Sequence, residues 1–363
     1  MSLKNLKLLS VGIVGLSIAA VLAGCAPAPS ATPSQSAAGS SNYLPCIVSD
    51  TAGFNDHSFN QLGLQGVQQA ATKLGSTSKK VESKSPSDYV PNVNELVAQK
   101  CNIIVASGFN LVAAVQTAAA ANPKTDFAMI DDNSIKLPNV KPVVYNTNES
   151  AFLGGYAAAA FSKTGVVATY GGQELPSVTI YMDGFWDGVQ YYNKKNNATV
   201  KVLGWDEATQ KGTFVGNFTD QNASKTIATN LIGQGADVIV PVAGSLYQGA
   251  GAAIRSAGTP AVLEGVDADI FLTDTNGYQD LVLTSILKNI QPTVATVVEQ
   301  SASTSTFDNS PYVGTLKNDG VGLSPFHDFA SKIPSTLTAE LKTIQAGIID
   351  GSIPVASPSA FAG

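Results

Sequence analysis

Between Leu44 and Asp267, short apolar runs rich in Val and Ile alternate with stretches of helical periodicity. This alternation restricts the possible folds more than any other feature of the chain. Ile47-Val48 reads as a strand ending in Ser49-Asp50-Thr51, and Asn60–Leu74 as a helix with Leu62, Val67, Ala70 and Leu74 on one face. Lys80–Glu82 and Ile103–Ala106 read as strands with a helix over Tyr89–Lys100 between them. The Ala-rich helix Ala113–Ala121 stops at Asn122-Pro123, and the strand Phe127–Ile130 ends in Asp131-Asp132. The pattern then restarts. Helices are expected over Phe152–Phe161, Pro176–Lys194, Ser224–Gly233 and Tyr247–Ala257, and strands over Gly165–Tyr170, Lys201–Gly204, Asp237–Pro241 and Ala261–Val266. Continuous apolar strands separated by helices belong to parallel sheets covered on both faces. Two such series predict an α/β protein of two doubly wound parallel-sheet lobes. Ligands of these sheets sit beyond the carboxyl ends of the strands, which singles out Asp50, Ser107, Asp131, Gly172, Gly244 and Asp267.

The 363 residues suffice for two domains, and 44% apolar content against 13% charged is globular in character. A net charge of −6 with no basic run makes nucleic acid a poor partner. Three Cys and two His, with neither His at ligand spacing from another His or a Cys, point to no metal site. Gly244-Ser245-Leu246-Tyr247-Gln248-Gly249 has the strand-to-helix position of a phosphate loop but lacks its lysine. There is no Gly-x-Ser-x-Gly elbow, and His57 and His327 read as structural or surface residues. The expectation is a non-enzyme without cofactor.

The amino terminus reads as an address. Met1–Lys7 carries two lysines, and Leu8–Leu22 is an uncharged run of 15 residues. That is short for a membrane span of about 20 residues and suits the apolar region of a signal peptide. Leu22-Ala23-Gly24-Cys25 resembles the lipobox of bacterial lipoproteins, which implies cleavage after residue 24 and a diacylglycerol thioether on Cys25; an ordinary secretory signal is the alternative. Residues 26–42 hold no charge and no large apolar side chain, so they read as a tether spanning roughly 20–25 Å as a flexible coil. Together these features predict a globular body lipid-anchored on the extracytoplasmic face of the cell membrane.

Four segments stand out: Ser49-Asp50-Thr51-Ala52-Gly53-Phe54-Asn55-Asp56-His57-Ser58-Phe59-Asn60-Gln61; Ala151-Phe152-Leu153-Gly154-Gly155-Tyr156-Ala157; Gly235-Ala236-Asp237-Val238-Ile239 running into Val242-Ala243-Gly244; and Gly265-Val266-Asp267-Ala268-Asp269 with Thr284-Ser285-Ile286-Leu287-Lys288. Together they resemble the basic membrane protein family, the PnrA-like purine nucleoside receptors that serve ABC importers. The chain departs from the family pattern at Ala52 and at Ser245–Gln248. The resemblance implies a periplasmic-binding-protein-like type I fold whose lobes, joined by a hinge, trap a nucleoside and deliver it to an ABC permease. It places Phe59 against the base, Asp50, Asp131 and Asp267 on donors of the ligand, and Lys288 on the sugar. Asn60, Ser107, Gly108, Gly244 and Tyr247 complete the expected wall, with Tyr247 as a second aromatic face. Taken singly, Phe59 reads equally as a core residue and each Asp as a helix N-cap. The same fold holding a sugar or signalling molecule, and a surface nucleoside hydrolase, remain as alternatives.

In this family the tail crosses back between lobes, which predicts 44–146 with 289–312 as the first lobe and 147–288 with 313–363 as the second. The expected tail elements are a helix at Pro292–Ser301, strands at Val313–Leu316 and Val321–Leu323, and a helix at Thr336–Ile349. Residues 1–24 would be the signal and 25–43 the lipidated Cys with its linker. Cys46 and Cys101 each precede an apolar strand. In a lobe of strand order 2-1-3 those strands are parallel neighbours ~4.8 Å apart, within reach of a disulfide, provided the compartment is oxidising. Two buried free thiols are the alternative.

Overall fold

A computed structural model describes residues 42–361. The signal, Cys25 and nearly all of the linker lie outside the described residues. The first sheet is built from β1 (Pro45–Val48), β2 (Lys79–Val81), β3 (Ile103–Ser107), β4 (Asp126–Ile130) and β5 (Val140–Tyr145), with α1 (Phe59–Lys73), α2 (Tyr89–Ala98) and α3 (Val112–Ala121) between them. The second contains β6 (Val166–Gly171), β7 (Lys201–Leu203), β10 (Val238–Val242), β11 (Val262–Asp267) and β12 (Val282–Lys288). Its helices are α4 (Thr147–Phe161), α5 (Pro176–Asn196), α6 (Gln221–Gly233), α7 (Tyr247–Ala257) and the short α8 (Ile270–Thr273). A small antiparallel ribbon, β8 (Trp205–Asp206) with β9 (Lys211–Gly212), follows β7. The tail supplies α9 (Ile290–Ser303), β13 (Tyr312–Gly314), β14 (Val321–Leu323) and α10 (Leu337–Ile349).

The strand orders are β2-β1-β3-β4-β5-β13 and β7-β6-β10-β11-β12-β14. Every pairing is parallel except β12 with β14. The two orders are the same doubly wound pattern repeated, so β4 and β11 hold equivalent places, as do β3 and β10, and β5 and β12. The central strands are buried along their whole length, which is why they read as unbroken apolar runs.

Two differences from the sequence reading concern β5 and β13. The sequence Val-Lys-Pro-Val-Val-Tyr of β5 carries a charge and a proline, both unusual inside a sheet. Lys141 is nonetheless buried, because its ammonium reaches Asp308 Oδ2 at 2.9 Å and the Ser310 carbonyl at 2.7 Å. Tyr312–Gly314 pairs with Val143–Tyr145, so Val313 and Gly314 belong to the first sheet and not to the second lobe; the return crossing falls after Gly314, with no break at 312/313. The tail's two helices part company: α9 packs on α1 in the first lobe, and α10 on α4 in the second.

The glycines of Leu153-Gly154-Gly155-Tyr156 have a packing reason. A Cβ on Gly155 would lie 2.0 Å from the Phe185 carbonyl oxygen, and one on Gly188 2.0 Å from that of Phe152. The α4 and α5 backbones touch there with no side chain between, which is possible only for glycine. In the first lobe Cys46 and Cys101 form a disulfide with Cα atoms 5.9 Å apart. The register sets Cys46 opposite Ile104, so the two cysteines are not at equivalent strand positions. Cys101 instead reaches across from the turn before β3, and the bridge is packed among Tyr89, Val93, Leu96 and Ile104.

Candidate functional site

The carboxyl ends of both sheets face one cleft of about 590 Å³, counting the solvent at its mouth. Its walls include Asp50, Phe59, Asn60, Gly108 and Asp131 from the first lobe, with Gly244, Asp267 and Lys288 from the second. Eight of the ten sequence-derived positions therefore converge here.

The first-lobe wall is organised by a buried carboxylate pair. Asp56 accepts from the backbone N–H of Ser58, Asn60 and Gln61 at 2.8–3.0 Å, satisfying the donors at the start of α1 that Ser58 leaves uncapped. The Asn60 side-chain amide then donates to both Asp56 Oδ2 (3.1 Å) and Asp50 Oδ1 (2.9 Å). Asp50 Oδ1 also accepts from the Ala52 N–H at 2.9 Å. Its Oδ2 lies on the Gly108 side, 3.4 Å from where a Cβ on Gly108 would stand. Gly108 sits at φ 107°, a conformation closed to ordinary side chains, and the bare backbone leaves room beside both Asp50 and Phe59. Burial pushes the Asp50 carboxyl up to about 6, partly offset by its hydrogen bonds from Ala52 and Asn60.

Asp131 of the first lobe and Asp267 of the second occupy the ends of the equivalent strands β4 and β11, with φ 68° and 64°. Such left-handed backbone is uncommon outside glycine and clusters at functional sites. Both carboxylates converge on Lys288. Its Nζ is 2.9 and 3.1 Å from the Asp131 oxygens and 3.6 Å from Asp267 Oδ1. Asp267 Oδ1 accepts from Tyr181 Oη at 2.8 Å, and its Oδ2 accepts from Ser58 Oγ at 3.4 Å. The ammonium lies 5.1–5.6 Å from the ring centres of Phe59, Tyr145 and Tyr181, a cage of aromatic faces. Burial opposes the charge on Lys288, yet Asp131 and Asp267 outweigh it and hold the ammonium above its ordinary range. Burial pushes Asp131 upward against the pull of the same ammonium.

Two expected wall residues are elsewhere. Tyr247, the first residue of α7, is buried in the core of the second lobe, with its hydroxyl donating to Asp274 Oδ1 at 2.8 Å. It cannot supply an aromatic face to the cleft. Ser107 is fully buried, and its Oγ sits 3.1 Å from the Cβ position of Gly63, turned toward α1.

Sequence reasoning missed Tyr181 and Phe218, both of which line the cleft. Tyr181 falls on an apolar face of α5 indistinguishable from core. Phe218 is carried by a loop with no motif, and that loop is pinned by pairing between Gly171-Gly172 and Thr213–Gly216. A Cβ on Gly172 would stand 2.3 Å from the Phe218 ring. The only signal in the sequence was the Gly171-Gly172 pair at the end of β6.

A family model described as "ABC transporter substrate-binding protein PnrA-like" (Bmp) matches residues 46–356. The chain is 29% identical over 371 residues to the ABC transporter nucleoside-binding protein BmpA of Lactococcus lactis subsp. cremoris, covering 97% of this chain and 99% of that protein. It is 29% identical over 310 residues to basic membrane protein A of Borreliella burgdorferi, covering 84% and 85% of the two chains. A solved ABC transporter solute-binding protein of Aeropyrum pernix K1 superposes with a TM-score of 0.74 at 23% identity, over 87% of this chain and 94% of that one. The chain therefore belongs to the PnrA-like family of ABC transporter substrate-binding proteins.

Proposed function

From that membership we propose that this protein captures a purine nucleoside between its lobes and hands it to an ABC permease. The observation that carries the reading is the composition of the cleft. Phe59 and Phe218 offer aromatic faces for a flat base, and Asp50, Asp131 and Asp267 offer acceptors, with one cation, Lys288. Ribose hydroxyls and base N–H groups are donors, which ionised carboxylates accept strongly. Four cleft carboxylates counting Asp56, against that one ammonium, repel a phosphate, so the ligand is the nucleoside and not its phosphate ester. Base–aromatic stacking supplies ~1–3 kcal/mol per base.

We further propose that Cys25 carries a lipid that holds the body at the extracytoplasmic membrane surface. Among the described residues no helix is long and apolar enough to cross a membrane. Titration calorimetry with adenosine, guanosine and inosine tests the ligand. Heat with one of them and none with a hexose is expected; the reverse result rejects the reading. Prolonged incubation with inosine should release no free base, and release would identify a hydrolase.

A further inference from the structure

We propose that Gln173 and Thr273, two side chains that line no part of the cleft, are closure latches that set how long the ligand stays bound; this rests on the capture reading above. The Asn110 side-chain amide, in the turn after β3 of the first lobe, donates to Gln173 Oε1 at 3.0 Å in the loop after β6 of the second. At a second place, Thr273 Oγ1, ending α8 of the second lobe, donates to the His57 carbonyl of the first at 2.9 Å. Both bonds join loops at the strand carboxyl ends, where the lobes approach, and neither acceptor nor donor of the second lobe appears in the cleft wall.

Each latch is held in place by its own lobe. Gln173 also donates from Nε2 to the Gly216 carbonyl at 3.3 Å, in the loop that carries Phe218. Thr273 is fixed because Asp269 caps α8, taking the Phe271 N–H at 3.2 Å on one oxygen and His327 Nε2 at 2.7 Å on the other. The ring of His327 stacks on Phe271 at 4.1 Å, which buttresses the same short helix. On the other lobe His57 has φ 55°, a turn that presents its carbonyl to Thr273. Bonds made only between closed lobes stabilise the closed state whether or not ligand is present, and so slow release without touching recognition.

The test is stopped-flow association and release of inosine, together with small-angle X-ray scattering of the ligand-free protein. Gln173→Ala and Thr273→Val should each speed release about 2- to 10-fold, the worth of one neutral hydrogen bond, with association no slower than in the wild type. Gln173→Glu keeps the acceptor and Thr273→Ser keeps the donor, so both should restore slow release. The double variant should show a larger radius of gyration without ligand. Unchanged release together with unchanged scattering in the double variant overturns the proposal, as does slowed association with unchanged release. Failure of the wild type to bind inosine counts against the nucleoside reading alone; scattering then decides the latches.

Discussion

Lys288 of the second lobe places its ammonium 2.9 and 3.1 Å from the two carboxylate oxygens of Asp131 in the first, and both side chains are more than nine-tenths buried. The pair joins the two lobes across the cleft. An unpaired buried charge is costly, so each group needs the other where the lobes meet.

Lys288→Met should weaken inosine binding by about 2–3 kcal/mol, roughly 30- to 150-fold, since charged hydrogen bonds are lost and two carboxylates are left facing each other. Titration calorimetry reads this directly. Unchanged affinity would remove Lys288 from the ligand's contacts.

Asp50→Asn separates stability from function. The folded pKa of about 6 lies above the ordinary 3.8, so the folded state holds the proton more tightly than the unfolded chain. Its contribution to stability is therefore greatest below pH 4, falls as pH rises through the 4–6 window, and stays low above it. Replacing the carboxylate should stabilise the ligand-free protein at pH 7.5 by about 1–3 kcal/mol and flatten that pH dependence, while weakening nucleoside binding. Urea denaturation at pH 4 and 7.5 checks the sign. In the wild type, affinity should drop as the pH is lowered from 7.5 to 5.

Phe59→Leu and Phe218→Leu keep apolar bulk and lose the aromatic face. Each should reduce nucleoside affinity by about 1–3 kcal/mol if both rings stack on the base. A loss confined to Phe59 would mean that the base meets one ring only.

Gly188→Ala drives a methyl group into the Phe152 carbonyl at 2.0 Å, where backbone and not a mobile side chain must yield. Overpacking of this kind costs about 1–3 kcal/mol, and more where helices cannot separate. Chemical denaturation should show the loss with the midpoint lowered; a neutral effect would mean that α4 and α5 slide freely.

Breaking the disulfide with Cys46→Ser and Cys101→Ser should cost about 2–4 kcal/mol of stability. Inosine affinity should not change, because the bridge lies at the amino ends of β1 and β3 and the cleft at their carboxyl ends. Thiol titration of unfolded, unreduced protein carrying Cys25→Ser should find no free thiol.

The periodicity of the chain determined the class of fold, the number of lobes and the strand ends that carry Asp50, Asp131 and Asp267, because burial of parallel strands on both faces leaves continuous apolar runs. Family motifs marked Phe59 and Lys288 in the same way. What local pattern could not carry was anything settled by contact between distant segments. Strand β5 was hidden by Lys141 and Pro142, and the burial of Lys141 depends on Asp308 and Ser310, 167 and 169 residues onward. Tyr247 and Ser107 were assigned to the wall and proved to face inward, since strand and helix position says which end of a sheet a residue occupies but not which way the last side chain points. Phe218 reached the cleft only through a loop seated on Gly171-Gly172. The pairing of Lys288 with Asp131, and of Thr273 with His57, required two lobes to meet. A sequence specifies each lobe through local burial; the relation between lobes is decided by tertiary packing, because those bonds join residues that share no element and no period.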